Sequence, residues 1–501
     1  MSSNVNHAAN FGNHRVHRRH LDFGAVARPI ALTRIPVPVL IAVAMLAVGL
    51  AGITRPGMWA DELATWAAVR LTWPDLFQLL GNTDAVNGGY YLLLKPWTAV
   101  AGTSELALRL PATVATVASA ALVTMIGQRL GGLRWAIPAG IIFVLLPVVS
   151  RYAQEARAYA LVVALSLLAG WLLIRSAESG RHPWFIGYAA AVTALGAFHL
   201  MGLLLLAGHA VMIVALGGSW RRWLLAVAAA ILALTPLMII GTHQIGQTDW
   251  IEPISVAGIA RLPTVLFGSH TVAILVLALA AVSILRHRDR LTVALLSWAV
   301  APTIGLLLVA QVSDLWFPRY LLFTMPAWVL LAARAFSSPT WRPRVHGVVL
   351  VLILGVVAGA GTLAHLDVRS TSGHGHDTRA VAAVITEHAR PGDALVVNLA
   401  EPVVPWEARD LVAAYVPVHA QPDDVFALTE QRENGRFLAT ETSDADVLRT
   451  VDRVWVIRFE NPPDVLSDLG GSKESRLRAD FTVTEHWQLR GLSVALLTRH
   501  R

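Results

Sequence analysis

The sequence contains no cysteine, which excludes disulfides, thiolate-held zinc and a cysteine nucleophile. Charge is also scarce. Only 15% of the 501 residues are charged and 55% are hydrophobic, whereas soluble domains carry about a quarter charged residues. With a mean hydropathy of +0.56, the balance points to lipid as the solvent. The deficit is uneven. Long stretches between Pro36 and Leu363 have almost no charge, while the chain from about Asp367 onward has an ordinary soluble composition. The expectation is an α-helical polytopic membrane protein with a small C-terminal α/β domain. Residues 1–34 read as a cytoplasmic disordered tail, 35–369 as the membrane domain and 370–501 as extracytoplasmic. A Gly-rich phosphate loop and a nucleophile elbow are also missing, so no nucleotide is expected at the site.

Apolar segments recur near 36–54, 107–128, 135–150, 158–174, 184–198, 200–217, 223–241, 263–285, 291–310, 319–335 and 346–364, which predicts about eleven spans of a hydrocarbon layer about 30 Å thick. The first run is too long for the apolar core of a cleaved signal. The formal charge is +7 and the pI about 10.2, but the arginines cluster in alternate short loops. Examples are Arg129 and Arg134, Arg175 and Arg181, Arg221 and Arg222, and Arg286, Arg288 and Arg290. That is a topology signal rather than a nucleic-acid footprint. It places those loops in the cytoplasm and puts the first loop (55–105) and the C-terminal region outside, in a plasma-membrane protein with a cytoplasmic N-terminus.

Within the first loop, Met58 to Val69 and Trp73 to Leu80 have helical apolar spacing with interleaved tryptophans, as interfacial helices do. In the C-terminal region Thr378 to Ala389 and Asp444 to Thr450 read as helical. Ala394 to Leu399 and Val454 to Phe459 read as strands, and Phe481 to Glu485 with Leu492 to Thr498 as a hairpin turning at Arg490-Gly491. Asp444-Ala445-Asp446 has the residue types of a nucleotide-sugar metal motif, but its position after Ser443 reads as a helix cap. His374-Gly375-His376-Asp377 and the loosely spaced His7, His14, His17 and His20 have metal-ligand types without a metal-ligand setting.

The adjacent carboxylates Asp61 and Glu62 carry the sharpest chemical signal. Carboxylates at a membrane surface are costly unless solvated, paired or used. Neighbouring helical residues point about 100° apart, so one could act as a base while the other orients a partner; equally, both suit a helix N-terminus. Arg151, Glu155 and Tyr159 follow i, i+4, i+8 spacing, which allows a local Arg151–Glu155 pair or puts Gln154 or Glu155 on sugar hydroxyls. Tyr90 and Tyr91 suit either sugar and lipid contact or a membrane belt. His199 is a candidate for a divalent metal, which is otherwise left open. The loop Thr248 to Pro253 is polar and aromatic.

The acidic pair after the first span, the segment Asn87-Gly88-Gly89-Tyr90-Tyr91-Leu92-Leu93-Leu94-Lys95, the segment Arg151 to Leu161 and Pro318-Arg319-Tyr320-Leu321-Leu322 together resemble the C-type glycosyltransferase superfamily. The resemblance is to its protein O-mannosyltransferase and aminoarabinose-transferase branch and covers roughly residues 35–365. It implies inverting transfer of a sugar, mannose first and a pentose second, from a polyprenyl-phosphate donor. The acceptor would be an envelope glycan, lipid or protein outside the cell. By the same resemblance Asp61 is the general base and Glu62 its neighbour. Lys95, Arg151, Arg157 and Arg319 are the outer cations available for the donor phosphate, and Tyr320 joins Tyr90, Tyr91, Gln154 and Glu155 as candidate sugar or acceptor contacts. Two other classes fit eleven helices: a transporter or lipid flippase, which would usually carry mid-membrane charge, and a silent scaffold whose C-terminal region binds a partner.

Overall fold

The computed structural model describes residues 36–244, 250–337, 343–401 and 403–500. The four N-terminal histidines, with the rest of the expected cytoplasmic tail, and Thr248 and Asp249 of the aromatic loop lie outside the described residues. Val37–Arg501 forms one compact unit. Helix α1 (Val37–Leu50) leads to a first-loop group, α2 (Ala60–Arg70), α3 (Trp73–Leu79) and α4 (Ala85–Ala101). The apolar bundle continues with α5 (Glu105–Gly131), α6 (Leu133–Leu145), α7 (Pro147–Ala153), α8 (Tyr159–Ser179), α9 (His182–Phe198), α10 (Leu205–Ala215) and α11 (Trp220–His243). It ends with α12 (Val256–Ala260), α13 (Leu262–Phe267), α14 (His270–Arg286), α15 (Arg290–Val309), α16 (Met325–Arg334) and α17 (Pro343–Val368).

The protein is a multi-pass membrane protein, with fewer full-length candidate spans than the eleven expected from the sequence. Among the described residues five helices, α5, α8, α11, α15 and most of α17, are long and apolar enough to cross a membrane, or seven if two bent pairs each count as one. The remaining apolar segments are helical but short. Helix α1, with 14 residues, rises about 21 Å at 1.5 Å per residue, less than the hydrocarbon thickness. The bends have local causes. Pro147 at the first turn of α7 holds Leu146 extended (ψ 122°), and the α6–α7 pair bends by 64° there. Gly268 (φ +77°) breaks the chain between α13 and α14, where a Cβ would fall 2.4 Å from the Val148 nitrogen. Apolar runs report composition; they do not report these breaks.

The C-terminal region contains α18 (Thr378–His388), β1 (Ala394–Val397), α19 (Glu407–Tyr415), β2 (Arg453–Phe459), α20 (Gly471–Asp480), β3 (Phe481–Leu489) and β4 (Leu492–Arg499). The sheet order is β1-β2-β4-β3, with β1 and β2 parallel and the other pairs antiparallel. Strand residues alternate between faces. Val396, Val454, Val456, Ala495 and Leu497 pack with Phe426 and Leu477 in one small core. Leu395, Trp455, Ile457, Val494 and Leu496 instead join the main core with Val381, Ile385 and Leu411 of α18 and α19. The sheet is thus tied through α18 and α19 to the first loop, which positions the site described below. Asp444 caps a 3-10 turn at Ala445–Leu448, its Oδ1 accepting from the Asp446 amide at 2.9 Å.

Close helix contacts depend on small residues. At Gly208 of α10 a Cβ would lie 2.6 Å from the Ser297 carbonyl oxygen and 2.8 Å from Trp298 Cα on α15. Both obstacles are backbone and cannot rotate away. Gly208→Val is therefore expected to lower stability by about 1–3 kcal/mol, read as a fall in the unfolding temperature of the detergent-purified protein; an unchanged transition would contradict this packing.

Candidate active site

The site grows from two adjacent residues at the start of α2 that point in different directions. Glu62 is fully buried against Arg109 of α5, with Arg109 Nε donating to Oε1 at 2.8 Å and Nη2 to Oε2 at 2.7 Å. Arg109 also donates to the carbonyl oxygens of Ile53 (2.7 Å), Pro56 (2.9 Å) and Gly57 (3.2 Å). All five guanidinium N–H groups are used. Glu62 in turn accepts from the Ala156 amide on Oε1 at 2.8 Å and meets His374 Nδ1 at 3.1 Å on Oε2. Its lone pairs are filled, so of the expected catalytic pair Glu62 has no open acceptor position facing the site. Burial alone would raise the Glu62 carboxyl, but Arg109 and then His374 outweigh it and hold it well below the usual carboxylate range.

Asp61 has the opposite environment. Its Oδ2 lies 3.6 Å from Arg319 Nη1 and 3.9 Å from Arg157 Nε, and its side chain keeps 15% exposure. Among the described residues no group hydrogen-bonds to its carboxylate. Arg319 is enclosed by aromatic rings, with its guanidinium carbon 4.2 Å from the Phe317 centroid, 5.3 Å from Trp59 and 5.7 Å from Tyr159. Around this pair several buried polar atoms lack a hydrogen-bond partner among the described residues. They include Arg319 Nε, Trp59 Nε1 and Tyr90 Oη. Buried donors are rarely left unmade, and three near one exposed carboxylate and two guanidiniums suit an incoming anionic, hydroxyl-rich ligand.

The other expected residues divide. Arg151 pairs with Glu155 and lies 5.7 Å from the Trp59 ring, so it borders the site. Glu155 is buried, and that burial lifts its carboxyl above the usual range while Arg151 pulls it down. Tyr320 packs 4.8 Å from His199 and 5.3 Å from Phe317 by ring centroids. Lys95, Gln154 and Tyr91 make their hydrogen bonds elsewhere. Lys95 donates to the carbonyl oxygens of Val69 and Leu71 at the C-terminal end of α2. That is about 12 Å along the helix from Asp61, so its charge closes a helix end instead of joining the arginines. Gln154 donates to Gly49 and Ala51 at 2.9 and 2.8 Å, which caps α1. Tyr91 is buried and donates to Asp84 at 2.7 Å, so neither it nor buried Tyr90 is a belt residue. His199 sits between Tyr159 and Tyr320 rings, and among the described residues no three acidic or histidine side chains are grouped to hold a metal.

Several site-building residues escaped the sequence reading. Arg109 is the clearest: a lone charge at the start of an apolar segment, which signals a buried partner. His374 and His376, of metal-ligand type but without a metal-ligand setting in the sequence, each hold a glutamate. His376 Nδ1 lies 2.6 and 2.7 Å from the two Glu407 oxygens. Burial disfavours the charged His376 ring, but Glu407 outweighs that and lifts its pKa. Trp406 Nε1 donates to Ala60 O at 2.9 Å, Thr378 Oγ1 to Met58 O at 2.8 Å and the Met58 amide to Tyr415 Oη at 2.7 Å. The helix carrying Asp61 is thus gripped by the C-terminal region. Gly491 (φ +75°) lets the β3–β4 turn close over this segment, since a Cβ there would fall 2.6 Å from His376.

No protein-family model matches the sequence and no curated protein matches it. Solved structures do. ArnT from Cupriavidus metallidurans in the apo state superposes with a TM-score of 0.58 at 16% identity, covering 91% of this chain and 97% of that one. The same protein bound to undecaprenyl phosphate gives 0.57 at 14% identity over the same shares. The oligosaccharyltransferase AglB from Archaeoglobus fulgidus is more distant, at 0.46 and 12% identity over 84% of this chain and 69% of that one. At these identities the likeness is one of fold. The chain has the C-type glycosyltransferase fold that its motifs resemble.

The Glu62 cluster has a pH signature. Burial pulls His374 from 6.5 down to about 3, and Glu62 is depressed from 4.5. Both therefore bind fewer protons in the folded chain than in the unfolded one. The stability they confer is complete above about pH 6.5 and is lost as pH falls toward 3; His376, with its raised pKa, works in the opposite sense. The unfolding temperature is expected to fall between pH 7 and 4. In His374→Gln, which keeps a donor for Glu62 but takes no proton, the fall should be smaller by on the order of 1–3 kcal/mol. Equal falls in both proteins would contradict the assignment.

Proposed function

We propose that this chain is an inverting glycosyltransferase that moves a sugar from a polyprenyl-phosphate donor to an acceptor hydroxyl on the extracytoplasmic face. Asp61 is the general base, and Arg157 with Arg319 receives the donor phosphate. The single observation that carries this reading is the Asp61 carboxylate, free of hydrogen bonds among the described residues and facing two guanidiniums. The neighbour of the same fold that binds undecaprenyl phosphate supports the donor class.

The charges fit the reaction. A polyprenyl-phosphate sugar is a phosphodiester with one negative charge, and Asp61 supplies a second against two arginines. As the acceptor oxygen attacks the anomeric carbon, its proton passes to Asp61 and the bond from that carbon to the phosphate oxygen breaks. Asp61 is then neutral, while the departing phosphate monoester carries close to two charges. The site holds two positive and about two negative charges before and after transfer, so charge moves from base to leaving group across fixed cations. That is the condition for electrostatic stabilisation without reorganisation. Tyr90, Trp59 and Glu155 lie where they can meet donor or acceptor hydroxyls, and Arg151 borders them. Mannose is the favoured sugar and a pentose the next; the acceptor is an envelope glycan, lipid or protein. The basic loops then face the cytoplasm and the C-terminal region lies outside.

Transfer of label from polyprenyl-phosphate mannose and polyprenyl-phosphate pentose in membranes containing the protein tests this reading. Asp61→Asn at equal expression is expected to lose about 10²- to 10⁴-fold in rate. Undiminished transfer in that variant would remove Asp61 as base, and no transfer from either donor by folded native protein would remove the enzyme reading.

A further inference from the structure

A chain of hydrogen bonds runs behind Arg157, away from Asp61. Asp84 ends a π-helical turn, Leu80–Asp84, and is buried at 9% exposure. Its Oδ1 accepts from Asn87 Nδ2 at 2.7 Å and its Oδ2 from Tyr91 Oη at 2.7 Å. Asn87 Oδ1 then accepts from Arg157 Nη2 at 3.1 Å. The orientation of this amide is forced by Arg157. A guanidinium only donates, so Asn87 must turn its oxygen to Arg157, which leaves its nitrogen to donate to Asp84. Burial raises the Asp84 carboxyl, while the bonds from Tyr91 and Asn87 pull it down. Reversed, the amide would set N–H against N–H at Arg157.

The turn carrying Asp84 is itself fixed from two distant places. Gln244, just after α11, accepts from the Ala85 amide at 2.9 Å and donates to Leu80 O at 3.0 Å and Gly81 O at 3.2 Å. Gly435 (φ +70°) in the C-terminal region approaches so closely that a Cβ would fall 2.4 Å from Asn82 Nδ2. A single π turn inside helical structure is an unfavourable local choice, found mostly where function needs it. Here Asp84 closes the turn with its carboxylate within hydrogen-bond distance of Asn87.

From this geometry we propose that Asp84 and Asn87 are positioning residues for lipid-phosphate recognition: Asp84 fixes the amide of Asn87, and Asn87 fixes the guanidinium of Arg157 toward the donor. The inference rests on the reading of Arg157 as a phosphate ligand. Among the described residues its other ion pair is at 3.9 Å with Asp61, a group that must change charge in the reaction. An anchor that does not titrate with Asp61 keeps the cation in place through the proton transfer.

The test is equilibrium binding of undecaprenyl phosphate to the purified full-length protein, with no acceptor present. Asn87→Ala is expected to weaken binding about tenfold, and the same change in an Arg157→Ala background should add nothing further. Asp84→Asn should stay within about threefold of native, because its oxygen still accepts from Asn87 and its amide donates to Tyr91 Oη, whereas Asp84→Ala should match Asn87→Ala. Lipid-free unfolding temperatures check the fold; if Asn87→Ala fails to fold, Asn87→Ser carries the comparison. Native-like binding by folded Asn87→Ala, or losses that add in the double variant, would overturn the proposal. So would a loss in Asp84→Asn equal to that in Asp84→Ala, which would make charge rather than orientation the cause. Native-like binding by Arg157→Ala is a different failure: it refutes the phosphate role of Arg157 itself.

Discussion

The buried pair between Glu62 and Arg109 is the contact on which the rest of the candidate site depends. A fully desolvated ion pair is not stabilising by default, because the penalty for stripping water from both charges is large. Here each lone pair and each N–H has a partner. Those partners belong to five separate parts of the chain: the end of α1, the start of α2, α5, the turn before α8 and the segment after α17. One junction therefore sets the relative places of the loops that carry Asp61, Arg157 and His374. Removing either member would leave the other charge buried and would loosen the site as a whole.

That junction gives neighbouring carboxylates unlike tasks. Consecutive residues of a helix point about 100° apart, so burying Glu62 against α5 turns Asp61 toward the arginines. Glu62 can never be released without cost, while Asp61 has no competing hydrogen bond among the described residues. The C-terminal region completes the arrangement from the other side through Thr378, Trp406 and Tyr415. It acts as part of the frame of α2.

Much of this was legible in the sequence, for identifiable reasons. The composition break near Asp367, the two short first-loop helices and the terminal hairpin follow from charge density and periodicity, which are local properties. Asp61, Arg157 and Arg319 were singled out from motifs on one predicted side, and they meet within 4 Å. Lys95 was singled out in the same way and closes a helix end instead, because sequence gives the side of a charge but not its direction. Arg109 carried a signal that went unused, a lone charge within an apolar run. His374 and His376 carried none, since their glutamates are 312 and 31 residues away. Fewer full-length spans appear than expected because Pro147 and Gly268 break two apolar runs and four others form helices of 17 residues or fewer, and hydropathy averages over both.

In the proposed reaction Arg157 and Arg319, beside the Asp61 carboxylate, form the cradle for a lipid phosphate. A structure of the full-length protein determined with polyprenyl phosphate bound tests this most directly. The phosphate group is expected within hydrogen-bond distance of both Arg157 and Arg319, beside Asp61, with the isoprenoid chain leading away into the bundle. A phosphate held at Lys95, or anywhere that leaves Arg157 and Arg319 without contact to it, would contradict the account.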